Sequence, residues 1–414
     1  MMPRICILTS QYPPDMGGVG HSCHRVANYL ASQGLDVHVL HFRKFPESLP
    51  IDEAVEMTSE GGVTVRRARI CHPDWRASHA PGGKRTSESE VLTRYNREMF
   101  EIVSALQTRH RFDLLHGFFL YPAGFIATTA ARYHGTKSIV SIRGNDIGKY
   151  MLDPLRMEFV ASSLRNSDYV TSVAASLLDM ADRAIHDISG RSRVILNSIP
   201  PEQVKSGAKP DLRLRGTVIG TAGLMRYKKG LVYLFKALAR LRYRYEFTLL
   251  LAGDFFNPEE EQIHLRQLDE LGLRDRTVIT GRLSRAEMFD HFPLYDVLVF
   301  PSLFAEGCPL SMMEAMTMGR AIIGSRTGAI PEILKDGESG LLVEPGDSEA
   351  IERALVRLLE SPNERKRLGA GARARSSELS PEHELGEWLE VYREVLGGHV
   401  GAEFESRPRL VSTA

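Results

Sequence analysis

Residues 4–42 read RICILTSQYPPDMGGVGHSCHRVANYLASQGLDVHVLHF. The apolar run Arg4–Thr9 predicts a strand, the glycine-rich stretch behind it a turn, Gly20–Ser32 a helix and Val37–Phe42 a second strand. Strands this continuously apolar are those of a parallel sheet covered by helices on both faces.

The same alternation runs outward from this unit. Val63–Val65, Leu114–His116, Ser138–Ile142, Tyr169–Ser172 and Arg193–Leu196 read as strands, with helical stretches such as Ala123–Tyr133 and Ala174–Ile185 between them. The segment Ile199–Arg215, with Pro200, Pro201, Gly207 and Pro210, breaks every period and reads as a linker. Beyond it Thr217–Ala222, Phe247–Ala252, Thr277–Thr280, Val297–Phe300 and Ala321–Ile323 restart the strand pattern. The expected fold is α/β, with two doubly wound domains: 1–198, then a linker 199–215, then 216–380. A helix at about 381–397 is expected to return to the first domain, and 398–414 to be a loose tail. Cys71–Ser89, rich in Pro, Gly, Ser and charge, reads as a long loop.

A chain of 414 residues exceeds what one core holds, which agrees with two domains. Lys plus Arg and Asp plus Glu each number 52, so no bulk field draws in nucleic acid or an anionic membrane. Cys6, Cys23, Cys71 and Cys308 form no CxxC pair and no metal-ligand spacing with histidine, which suits a reducing compartment. No signal-peptide pattern and no window of about 18 apolar residues occurs, so a soluble cytoplasmic protein is expected.

In open α/β sheets ligands sit beyond the carboxyl ends of the strands, so the loops after them carry the function. The most informative is Pro301–Gly319, PSLFAEGCPLSMMEAMTMG. Pro309 is placed to open a helix and Gly319 to end it. Glu306 then lies in the loop before the helix and Glu314 in its second turn, while the amides of Leu310 to Met312 make an anion site between them. By themselves the two glutamates read as a turn residue and a solvated helix residue. Met312, Met313, Met316 and Met318 read as core, and no cluster has metal spacing.

Further blocks accompany this one in order: Gly17-Gly-Val-Gly20, Phe112-Asp-Leu-Leu-His116, Ser141-Ile-Arg-Gly-Asn-Asp146, Gly223-Leu-Met-Arg-Tyr-Lys-Lys-Gly230, Leu250-Leu-Ala-Gly-Asp254, and Gly328-Ala-Ile-Pro-Glu332 with Gly340-Leu-Leu-Val343. Together with Glu306 and Glu314 as an E-x7-E pair, they resemble the retaining family-4 glycosyltransferases with the GT-B fold, over nearly the whole chain. The resemblance implies two Rossmann-like domains facing each other across a cleft, a nucleotide-sugar donor as substrate, no cofactor and no metal. It implies a glycan, lipid-linked or small-molecule acceptor, with transient contact at the inner face of a membrane left open.

By that resemblance Gly17, Gly18 and Gly20, Arg143, and the amides of Leu310 and Ser311 bind the donor, and Glu314 its ribose. Glu306 grips the sugar hydroxyls, His116 lies beside the transferred sugar, and Lys229 with Arg226 neutralises the leaving diphosphate. The commonest family pattern has arginine where this chain has Leu224, and histidine is frequent where Arg143 stands. A phosphorylase-like enzyme, a nucleotide-sugar epimerase and a catalytically silent partner of a glycosyltransferase stay open as alternatives.

Overall fold

The computed structural model describes residues 2–15, 17–72, 87–200, 207 and 210–397. Residues 73–86 of the expected long loop, 201–206 and 208–209 of the expected linker, and the expected tail lie outside the described residues. The chain forms two compact units. One holds the chain up to Val173, Leu178–Ile195 and the segment from Leu385; the other holds Ala174–Leu177 and Leu196–Glu384.

The first unit carries strands β1 (Arg4–Thr9), β2 (Asp36–Phe45), β3 (Val55–Glu60), β4 (Val63–Cys71), β5 (Leu114–Gly117), β6 (Lys137–Ile142), β7 (Tyr169–Ser172) and β8 (Ser192–Val194). Their order is β3-β4-β2-β1-β5-β6-β7-β8. All neighbours are parallel except β3, an edge strand antiparallel to β4. Alternation along β1 explains why its sequence is apolar throughout. Ile5 and Ile7 enter one core with Val26 and Leu30, whereas Cys6 and Leu8 enter another with Met99 and Ile126. The helix Glu88–His110 closes that second face; its start is fixed by a capping box in which Ser87 and Glu90 satisfy each other's backbone amides. Trp388, Val391 and Tyr392 of the C-terminal helix Pro381–Val395 complete the first face.

The second unit has β9 (Thr217–Ala222), β10 (Phe247–Ala252), β11 (Thr277–Ile279), β12 (Val297–Phe300), β13 (Ala321–Ser325) and β14 (Leu341–Val343). The order is β11-β10-β9-β12-β13-β14, all parallel. Progression reverses between β9 and β12, and between β1 and β5 in the first unit. Each reversal leaves a crevice beyond the strand ends, into which the loops after those strands project. Among the described residues no helix is long and apolar enough to cross a membrane.

Candidate active site

In the second unit the loops after β9 and β12 meet at the reversal point. The β9 loop turns through Tyr227–Lys229 into the helix Leu231–Leu241. Gly230, at φ +65°, ends that turn with its α-carbon so close to the β12 loop that a β-carbon would lie 2.1 Å from the Pro301 carbonyl oxygen. Only glycine tolerates both constraints. The amide of Leu303 donates to the Lys228 carbonyl at 2.8 Å, tying the two loops together.

That tie presents Lys228 and Lys229 to Glu306. Lys228 Nζ stands 3.2 Å from Glu306 Oε2 and Lys229 Nζ 3.1 Å from Oε1. Ser302 Oγ donates to Oε1 at 3.1 Å. Glu306 is only 6% exposed. Burial alone would push its carboxyl up, but Lys229 and then Lys228 outweigh burial and hold it down at about 2.

The helix Leu310–Thr317 follows, with Pro309 as its N-cap residue and no side chain capping it. The expected anion site shrinks here, because the Met312 amide is taken by the Pro309 carbonyl at 3.0 Å. Leu310 and Ser311 remain at its open end, and Ser311 packs beside Gly223 of the β9 loop. Met312, Met313 and Met316 are buried in the core. Glu314, 7% exposed, faces Arg285 NH2 at 3.3 Å. Burial pushes its carboxyl up to about 7 and the guanidinium offsets only part of that.

The structure therefore joins Glu306 to Lys229 directly, and sets Leu310, Ser311 and Glu314 on the adjoining helix. Arg226 lays its guanidinium over the Phe256 ring, 4.3 Å from the ring centre. Lys228, Ser302 and Arg285 were not singled out by the sequence. The Lys-Lys pair itself and the Ser284…Glu287 capping box, which opens the helix Arg285–His291, are the signals that could have marked two of them.

In the first unit Gly17 is the N-cap residue of the helix Gly18–Ser32, again without a side-chain cap, and Gly18 is exposed. Gly20 lets that helix approach the β1 loop, since a β-carbon there would lie 3.1 Å from the Gln11 backbone. Arg143 is buried with its guanidinium over the Phe118 ring at 4.6 Å. Asp146 organises this loop: its carboxylate accepts the amides of Gly144 at 2.7 Å, Arg143 at 2.9 Å and Leu120 at 3.3 Å.

His116, expected beside the transferred sugar, is fully buried, with Nδ1 2.6 Å from Tyr392 Oη and Nε2 2.7 Å from Ser141 Oγ. Burial and the nearby Arg143 lower its pKa to about 3, so the ring is a neutral member of the core. The strand end was read correctly, but the side chain points into the helix layer, where Trp388 and Phe118 flank it.

The family model for Glycosyl transferases group 1 matches residues 216–361, and that for Glycosyl transferase 4-like domain matches residues 17–194. The chain is 28% identical over 407 residues to the MMP alpha-(1->4)-mannosyltransferase of Mycolicibacterium hassiacum, covering 91% of this chain and 94% of that protein. Sucrose-phosphate synthase from Thermosynechococcus elongatus superposes with a TM-score of 0.76 at 20% identity, over 94% of this chain and 98% of that one. Anabaena Alr3699/HepE in complex with UDP does so with a TM-score of 0.72 at 16% identity, over 94% and 100%. The chain belongs to the group 1 glycosyltransferases of family-4 type, an α/β protein with the GT-B fold of two Rossmann-like domains.

Proposed function

We propose that this glycosyltransferase moves a sugar from a nucleotide-sugar donor, of UDP-sugar or GDP-mannose type, to a hydroxyl of a glycan, lipid-linked or small-molecule acceptor, with retention at the anomeric carbon and without a metal ion. The observation that carries the reading is the Lys228–Glu306–Lys229 cluster at the reversal point of the second sheet. UDP in the Anabaena neighbour and mannosyl transfer in the name of the Mycolicibacterium relative support it.

In this reading the second unit holds the donor. As the bond from the anomeric carbon to the diphosphate loosens, the sugar gains oxocarbenium character and the leaving group gains negative charge. Lys229, turning from Glu306 to the diphosphate, opposes that charge together with Arg226 and the amides of Leu310 and Ser311, which lowers the barrier. Glu306 accepts hydroxyls of the sugar and Glu314 those of the ribose. The first unit holds the acceptor, and the amides at Gly17, Gly18 and Gly20 and the Arg143 guanidinium are its groups for anionic parts of the substrates. The acceptor oxygen attacks from the side on which the diphosphate departs, so no protein nucleophile is needed.

A thermal-shift screen of UDP-, GDP- and ADP-sugars tests the donor assignment. A ligand at 100 times its Kd adds about 2.7 kcal/mol of stability. No shift with any of the three sinks it. With the donor known, an NMR assignment of the product's anomeric configuration tests retention, and turnover undiminished by EDTA tests independence from metal.

A further inference from the structure

Glu306 is held by two ammonium groups, yet the donor-site reading asks one of them, Lys229, to serve a diphosphate. We infer that Lys228 is the standing counter-ion of Glu306, a positioning residue that frees Lys229 to turn toward the diphosphate while the buried carboxylate keeps a charge partner. The inference rests on the reading of the second unit as the donor site, and assigns a role to a residue to which the family resemblance gives none.

The two lysines do not duplicate each other. Lys228 engages Oε2 and Lys229 engages Oε1, and Oε1 has a second donor in Ser302 Oγ. Withdrawal of Lys229 therefore leaves each oxygen with a donor: Lys228 on one, Ser302 on the other. Without Lys228, the same withdrawal would strand a carboxylate that is 6% exposed, and an uncompensated buried charge is strongly unfavourable. Lys229 would then stay with Glu306 and be lost to the diphosphate. The backbone suits the division of labour, because the Leu303 amide bonds the Lys228 carbonyl and so fixes Lys228 to the loop that carries Glu306. Both lysine side chains keep part of their surface in solvent, 24% and 20%, so the Lys229 ammonium has room to swing.

Calorimetric titration of the full chain with UDP, GDP and ADP tests this. For whichever nucleotide binds the wild type, K228M is expected to weaken binding about tenfold, and K228R to stay within about twofold. The decisive comparison is made on E306Q, where no carboxylate competes for Lys229: there K228M is expected to have no further effect. If Lys228 simply contacts phosphate, K228M weakens binding equally in both backgrounds, and the inference is overturned. Unchanged binding by K228M in the wild-type background overturns it too, while the donor-site reading stands. If K228M alone does not fold, the comparison of E306Q with K228M/E306Q decides, since a further loss there has the same meaning. Failure of all three nucleotides to bind the wild type removes the donor-site reading itself, and this inference with it.

Discussion

Glu306 and Glu314 stand eight positions apart, both nearly fully buried, and their carboxyls are driven in opposite directions, to about 2 and about 7. Burial acts on both. The difference is the company: two ammonium groups at 3.2 and 3.1 Å against one guanidinium at 3.3 Å. Near neutral pH one carboxylate is permanently charged and the other sits at its midpoint, so the pair separates into a fixed anion and a titrating one.

For Lys229→Ala we expect kcat to fall by about 100-fold or more once the true substrates are in hand, the loss that follows removal of one preorganised transition-state contact. Steady-state kinetics at saturating donor checks this, and turnover near wild type would refute the leaving-group role.

On the proposed ribose role of Glu314, nucleotide affinity should depend on pH. Its ionised form is the better acceptor for two ribose hydroxyls, so the dissociation constant should fall as pH rises through about 7. Glu314→Gln should abolish that component. The fold responds with the opposite sign: the folded pKa lies above the ordinary value of 4.5, so the folded state binds more protons and ligand-free stability declines as pH rises from about 4.5 to about 7. Titrations and denaturant melts on both proteins across that window test the two halves separately.

Tyr392→Phe should lower stability by about 1–2 kcal/mol, because it removes the hydroxyl that meets His116 Nδ1 at 2.6 Å inside the core. The donor KM should not move. Urea melts beside kinetics check the split, and a large fall in kcat with unchanged stability would restore a chemical role to His116.

Acid should weaken the first unit through a second histidine group at the amino ends of its strands. Arg66, itself buried, donates to His38 Nδ1 at 2.5 Å and to His110 Nε2 at 3.1 Å, and an arginine can only donate, so both rings must accept there. The other His38 nitrogen then donates to Asp36 Oδ1 at 3.1 Å, and Asp36 also takes Arg4 Nε at 2.6 Å. Burial and Arg66 lower the His38 pKa to about 4, from 6.5. A depressed pKa means the unfolded chain protonates first, so this stability is complete above about pH 6.5 and disappears as pH falls toward 4. The loss is of order 3 kcal/mol. His38→Gln, which keeps an acceptor for Arg66 but cannot titrate, should flatten the stability profile across that window.

Strands buried on both faces were legible almost to the residue: Tyr169–Ser172, Thr217–Ala222, Phe247–Ala252 and Val297–Phe300 fold as their apolar runs predict. β3 was not, because its VEMTSE sequence lies on an exposed edge and carries no apolar alternation. Its one signal is Gly61-Gly62, the positive-φ pair that joins it to β4. β14 is three residues long, too short for any period. At the site, spacing put Glu306 in a loop and Glu314 on a helix, but their companions Lys228 and Arg285 come from other strands' loops, and no one-dimensional pattern pairs them. The surroundings of His116 were hidden for a related reason. A strand of four residues does not declare which face a side chain takes, and the tyrosine that meets this one lies near the far end of the chain.

The return of the C-terminal helix also orders events during synthesis. Ile5, Ile7 and Val26 leave the ribosome early, yet the cavity they line is filled by Trp388, Val391 and Tyr392. The second unit, which ends at Glu384, is fully translated before those residues appear. The strands made first are thus covered only after the second unit has been made, and nascent chains must shelter an open aromatic-sized hollow until Trp388, Val391 and Tyr392 appear. A premature stop shortly after Glu384 would spare the second unit and leave the first one permanently unfinished.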